Sequence, residues 1–359
     1  MKLPRHAEIW LQPYVADRVR RFLTNEPRPV RRIWFAIADH YEPFWNHADL
    51  ATARRRVDAW RNRWPEIAAR APRDSAGSAP NYTFFYPQEE YHPDLLELLA
   101  EMTHAGIADV EVHIHHDGDS REEFIHKIST FCQTLRERHG LLRTVSGRTT
   151  FGFIHGNWAL DNSLPGGLCC GLNNEIAILR DLGCYADFTM PSGNSPSQAR
   201  TINTLYWCTG DSLAPKSYDY GTPVRRGEGK RGDLLMIPGP LGLRWKERLL
   251  PRMESGELTG YDLPSPYRVQ RWFDLAPRIG EDVFVKLHSH GAADFNLIAL
   301  LNVGLPSVFQ LAVQEAQRRG ISIYFVSTWQ MYCAVEAISK ALEPEPTVFG
   351  SSFGKVQTV

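Results

Sequence analysis

Apolar and polar positions alternate between two periods along most of the chain. Short apolar runs rich in aromatic and β-branched residues, "RRIWFAIAD" (31–39), "NYTFFYP" (81–87), "ADVEVHIH" (108–115), "TTFGFIHG" (149–156) and "CYADFTMP" (184–191), read as buried strands. Between them lie stretches with helical spacing. "LATARRRVDAWRNRWPEIAAR" places Val57, Trp60 and Trp64 on one face. "HPDLLELLAEMTHAG" has Pro93 suited to a first turn, "SREEFIHKISTFCQTLRERHG" opens on a Ser120-x-x-Glu123 capping box, and "NNEIAILRDLG" follows. Near the end "DVFVKLHSHG" and "ISIYFVST" predict two more strands, each followed by a helix. Strands alternating with helices imply a parallel sheet with right-handed crossovers, closed or nearly closed into an α/β barrel. The pattern loosens over about 197–278, where "GDLLMIPGPL" is the clearest strand. That segment reads as an insertion in a single domain over 1–342, with 343–359 a C-terminal tail.

Composition narrows the class without naming a function. Hydrophobic residues make up 43% and charged residues 23%, a globular profile with a substantial core. Lys and Arg (40) nearly balance Asp and Glu (41), so no global field favours nucleic acid or an acidic membrane surface. The first residues carry no apolar run of signal-peptide length, and no stretch approaches ~18 consecutive apolar residues. The expectation is a cytoplasmic protein without a membrane span. Six scattered cysteines with no CxxC pair read as reduced thiols. Cys169 and Cys170 are candidate soft metal ligands by residue type, but they are adjacent, whereas thiolate zinc sites usually space their cysteines.

Polar residues concentrate where the strands end. The first strand runs into Asp39, His40 and Glu42; the second into Gln88, Glu89 and Glu90; the third into "EVHIHHDGD". The fourth runs into His155, Asn157, Trp158 and Asp161, and a late strand into His288 and His290. Catalytic groups of parallel barrels sit at such ends. Side chains alternate along a strand, so His113 and His115 share a side with Glu111, and His116 faces away unless the strand has turned. Two imidazoles joined by an aspartate from a neighbouring strand end supply the ligand set of Zn²⁺ or another first-row divalent ion. Glu89 and Glu90 read as helix-dipole residues before "HPDLLELL". Arg54, Arg55 and Arg56 read as a solvated helix face, and "RRGEGKRG" as a solvated loop.

The order "FAIADHYEPF", "EVHIHHD", "FIHGNWALDN", "FVKLHSHG" resembles the polysaccharide deacetylase superfamily (carbohydrate esterase family four, the nodulation-protein-B-like domain), in its divergent bacterial surface-polysaccharide type. The resemblance covers about Arg32 to Trp329. It implies a distorted β/α barrel of about seven strands and a metal-dependent hydrolase that removes an acyl group, N-acetyl first, from a sugar or polysaccharide precursor. By that resemblance Asp39, His113 and His115 (or His116) bind a divalent ion, Zn²⁺ first. Glu42, or Asp39 itself, is the base. His288 protonates the leaving amine, with His290 orienting it or taking its role. His155, Asn157, Trp158 and Asp161 meet the sugar. The sequence departs from the family in lacking a second aspartate after Asp39 and an arginine in "FIHGNWALDN". Two rival readings are a metallohydrolase barrel of the amidohydrolase or PHP phosphoesterase type and a non-catalytic glycan- or partner-binding member of the deacetylase fold.

Overall fold

The computed structural model describes residues 4–23, 29–246 and 250–346. Eight parallel strands carry the architecture: β1 (Arg32–His40), β2 (Tyr82–Pro87), β3 (Ala108–Ile114), β4 (Arg148–His155), β5 (Cys184–Asp187), β6 (Leu234–Met236), β7 (Asp282–Ser289) and β8 (Ser322–Phe325). They pair in the order β7-β1-β2-β3-β4-β5-β6, while β8 pairs with the first half of β1. This is the expected α/β architecture, with helices in the connections. At the seam between β6 and β7 the Lys286 ammonium donates to Phe188 O and Met190 O, each at 2.7 Å. A side chain from β7 thus reaches the chain leaving β5.

The strands are apolar on both faces, as parallel strands covered on both sides must be. On β1, Trp34, Ala36 and Ala38 join Phe85, Ile154 and Phe284 inside the barrel. Ile33, Phe35 and Ile37 pack outward against Trp60, Trp64 and the other helix residues. The helix Leu50–Arg70, capped by Asp49, buries Val57, Trp60 and Trp64 on its inner face as the spacing predicts. Helix Arg121–His139 opens on the expected capping box, with Ser120 and Glu123 bonding each other's backbone.

Two expectations about organisation change. The segment 197–278 supplies β6, so it is not wholly an insertion; additions lie on either side of that strand, including the ribbon Gly242–Lys246/Leu250–Glu254. Arg56 is not on a solvated face: it is buried, donates to Pro43 O and Trp45 O, and pairs with Asp294. The helical stretch Asp294–Arg319 is long and apolar enough to cross a membrane, and half of it is buried inside the fold. Of the expected tail, Glu343 pairs with Arg32, and residues 347–359 lie outside the described residues.

Candidate metal centres at the strand ends

Period-two alternation decides which strand-end residues meet. On β3, Val110, Val112 and Ile114 face the outer helices, so His113 faces the barrel interior, and His115 follows it. There both meet Glu42, two residues beyond β1: His115 Nε2 lies 3.1 Å and His113 Nε2 3.7 Å from Glu42 Oε1. These three residues form a group that can hold a metal ion. Each imidazole is held from behind. His113 Nδ1 is 2.8 Å from Ile154 O, and His115 Nδ1 is 2.5 Å from Glu89 Oε1. Backing of this kind fixes the tautomer and aims the other nitrogen at a metal. Since 3.7 Å is too long for a hydrogen bond, His113 Nε2 is buried without a partner, as a ligand awaiting an ion would be. The residues present therefore fit a divalent ion.

Asp39 does not belong to this group, which corrects its assignment as a ligand. It shares the outward face of Ile33, Phe35 and Ile37, and both its oxygens are engaged. Gly291 N donates to Oδ1 at 2.7 Å and the Tyr82 hydroxyl to Oδ2 at 3.0 Å. Burial pushes its carboxyl up to about 7, against the Gly291 amide. Asp39 thereby anchors the turn that carries His290. Glu42 takes the ligand position in its place, which also removes it as the free base. Burial opposes its charge, but the imidazoles of His113, His115 and His290 hold it well below the usual carboxylate range.

His288 and His290 come to the same mouth. His290 Nδ1 lies 2.9 Å from Glu42 Oε2, and burial, which lowers its pKa, is outweighed by that carboxylate. His288 is held well below the usual histidine range by burial and by the nearby Lys286 and His290 charges, and its Nδ1 has no partner. Trp158, half-buried, lines a cavity of about 90 Å³ with both histidines, Ser192, Asn194 and Glu257. A groove of about 830 Å³ beside the N-terminal helix contains none of these histidines, so size alone does not make it the site.

Two residues of the mouth stand at strand ends in the sequence but have no metal-site role there. His40, on the inward face of β1, stands 4.8 Å from His290 and 5.4 Å from His113 between ring centroids, with Nε2 unpartnered. Burial and the neighbouring His290 and His113 keep its pKa well below the usual value. Glu89 holds His115 instead of serving a helix dipole; burial raises its carboxyl, but His115 outweighs this and lowers it. In turn Glu42 and Glu89 overcome the effect of burial on His115 and push it up to about 10. For Glu89 the signal was present: the second strand ends in a polar cluster like its neighbours.

His155 and Asp161 are not sugar contacts. Both are fully buried, His155 on the outward face with Phe151 and Phe153, and Asp161 accepting from Glu175 N and Ser217 N. Asn157 is exposed, in the left-handed region at φ 52°. His116, Cys170 and Glu175 join His155 in a second, fully buried group that can hold a metal ion.

No family model matches the chain, and no curated protein does. Among solved structures it is similar to the 4-α-glucanotransferase of Thermococcus litoralis, at 12% identity and a TM-score of 0.41 over 84% of this chain. The chain spans 40% of that enzyme's length.

Proposed function

We propose that the protein is a metal-dependent hydrolase that removes an acyl group, N-acetyl first, from an amino sugar in a polysaccharide precursor. The observation that carries this reading is the group Glu42, His113 and His115, backed by Ile154 O and Glu89 and opening beside Trp158. Two histidines and one glutamate are a ligand set of catalytic zinc sites, which keep a position for water and substrate. A divalent ion bound there supplies Lewis acidity towards a carbonyl oxygen and lowers the pKa of water.

The chain's own residues provide the rest. His290 fixes the second oxygen of Glu42 and so orients the first. His288 lines the cavity as a neutral imidazole, able to take the proton of the attacking water and deliver it to the departing amine. Such a relay needs no further carboxylate, consistent with the engagement of Asp39 elsewhere. An aromatic path leads outward: Trp45 packs 5.4 Å from His290 and 5.9 Å from Phe295, and Phe295 stacks under Tyr261, which is 82% exposed. Aromatic faces left open beside a polar mouth suit the C–H faces of pyranose rings, which favours a saccharide over a compact phosphoester.

The test is acetate release from N-acetylhexosamine oligosaccharides and their nucleotide-linked monomers by Zn²⁺-loaded protein. Release that disappears in Glu42→Gln is the expected result. Saccharide binding without release by fully loaded protein would replace this reading with that of a glycan-binding module.

A further inference from the structure

We propose that His116, His155, Cys170 and Glu175 form a second metal site, closed and structural, that takes Zn²⁺. It is independent of the hydrolase reading and lies on the opposite face of the same strand ends, between the sheet and its outer helices.

Glu175 already stands at coordination spacing from both histidines, while the two imidazoles, at hydrogen-bond distance from each other, would part by about half an ångström to admit an ion. His116 Nε2 and His155 Nε2 are 2.9 Å apart, and Glu175 Oε1 is 3.4 Å from each. Bonds of ~2.0–2.1 Å to a tetrahedral ion place two ligands roughly 3.4 Å apart. The Cys170 sulfur completes the set, all four ligand atoms lying within 4.8 Å of one another.

Each ligand is oriented from outside the cluster. His155 Nδ1 lies 2.6 Å from Gly156 O, which leaves Nε2 as the inward lone pair. His116 is the least firmly held: its Nδ1 makes no hydrogen bond and has only the Asp119 carboxylate, itself held by Lys127 at 2.7 Å, as an ion-pair neighbour at 3.4 Å. Glu175 accepts from Asp161 N on Oε2 at 2.6 Å, and its Oε1, fully buried, has no hydrogen bond. Two amides, Asn162 N at 3.3 Å and Leu172 N at 3.5 Å, point at the Cys170 sulfur. Converging amide donors suit a thiolate, and a coordinating thiol is deprotonated by the ion.

Charge and donor type select the ion. One thiolate and one carboxylate neutralise a divalent cation, which removes the cost of a buried net charge. Nitrogen, sulfur and oxygen are all donors that zinc takes, and a closed set of four matches the coordination number of structural zinc, with one thiolate here where such sites more often have two or more. Such an ion would tie the ends of β3 and β4 to the loop 156–174. That loop has left-handed residues at Asn157, Trp158, Asp161, Asn162 and Cys169, and it carries Trp158 into the mouth.

The experiment is to load the full chain with Co²⁺ in place of Zn²⁺ and record absorption and metal content together. Only the buried group contains sulfur, so a thiolate-to-cobalt charge-transfer band in the near ultraviolet reports on it alone. Expected is the band in wild type, its loss with one equivalent of metal in Cys170→Ser, and its retention in His113→Ala. The band with a single equivalent in wild type would uphold this site and count against metal at the mouth. Cobalt-loaded wild type without the band, or Cys170→Ser with wild-type metal content, would overturn the proposal and leave the cluster a hydrogen-bond network. The wild-type spectrum decides even if a variant fails to fold.

Discussion

Consecutive residues of "HIHH" serve opposite faces of one sheet, and the two groups they enter differ in one respect that matters. At the mouth His115 is 29% exposed and three ligands leave coordination positions free. Behind the sheet His116, His155 and Glu175 are wholly buried and four ligands close the set. An open set suits chemistry and a closed set suits support. Side-chain direction sorts the histidines between them, and a cysteine enters only the buried group: a shift of one residue past the end of β3 exchanges one environment for the other.

The largest test of that contrast is chelation. Removing an ion from the buried group is expected to cost about 4 kcal/mol at ordinary loading, lowering Tm by about 5 °C by calorimetry. Emptying the mouth through Glu42→Gln is expected to shift Tm by less than about 3 °C. Equal shifts would erase the distinction. In activity the order reverses. Glu42→Gln is expected to lose about 10²–10³-fold in acetate release, as when preorganised charge is withdrawn from a reacting carbonyl.

His288→Gln sharpens the mouth's side of the comparison, with a fall of about 10²–10⁴-fold and metal retained. Because burial holds the folded His288 well below 6.5, protonation inactivates it only well below that pH. The acid limb of kcat/KM therefore lies below 6.5 and is absent from the variant. An acid limb above 6.5 that survives in His288→Gln would assign it to another group. Next come the residues behind the ligands. Glu89→Gln at the mouth and Asp119→Asn behind the sheet are each expected to weaken metal about 10- to 100-fold at their own site only, read by competition with a fluorescent chelator. Cross-effects would show the two groups to be one coupled unit. Smallest is Trp158→Ala, expected to raise KM about tenfold with metal content and kcat nearly unchanged.

Much of the scaffold was legible from the sequence, and the site was legible only in part. Every strand read from apolar runs up to β5, and β7 and β8 near the end, forms where expected, because buried parallel strands are short, apolar and bounded by helix starts. His113, His115, His288 and His290 converge for the same reason, being placed at the ends of parallel strands. Asp39 misled because β1 is apolar on both faces. In "IWFAIADH" nothing in the pattern says whether the aspartate or the histidine faces inward, and only the packing of Trp34, Ala36 and Ala38 against Phe284 settles it for His40. Cys170 was visible as a soft ligand but set aside for its adjacency to Cys169, and Glu175 was out of reach. Their meeting with His116 depends on the irregular loop 156–174, whose left-handed turns follow no hydrophobic period.

Gly156 sits between the two faces: its carbonyl oxygen meets His155 Nδ1 on one, and its missing Cβ makes room for the His115 ring on the other. A Cβ there would collide with the His115 ring and stand 2.7 Å from Ile114 O. The end of β4 is consequently seated against a mouth ligand, while the adjoining His155 reaches the buried group. The two groups thus share one wall of backbone, and a side chain placed at this position would disturb the seat of His115 directly.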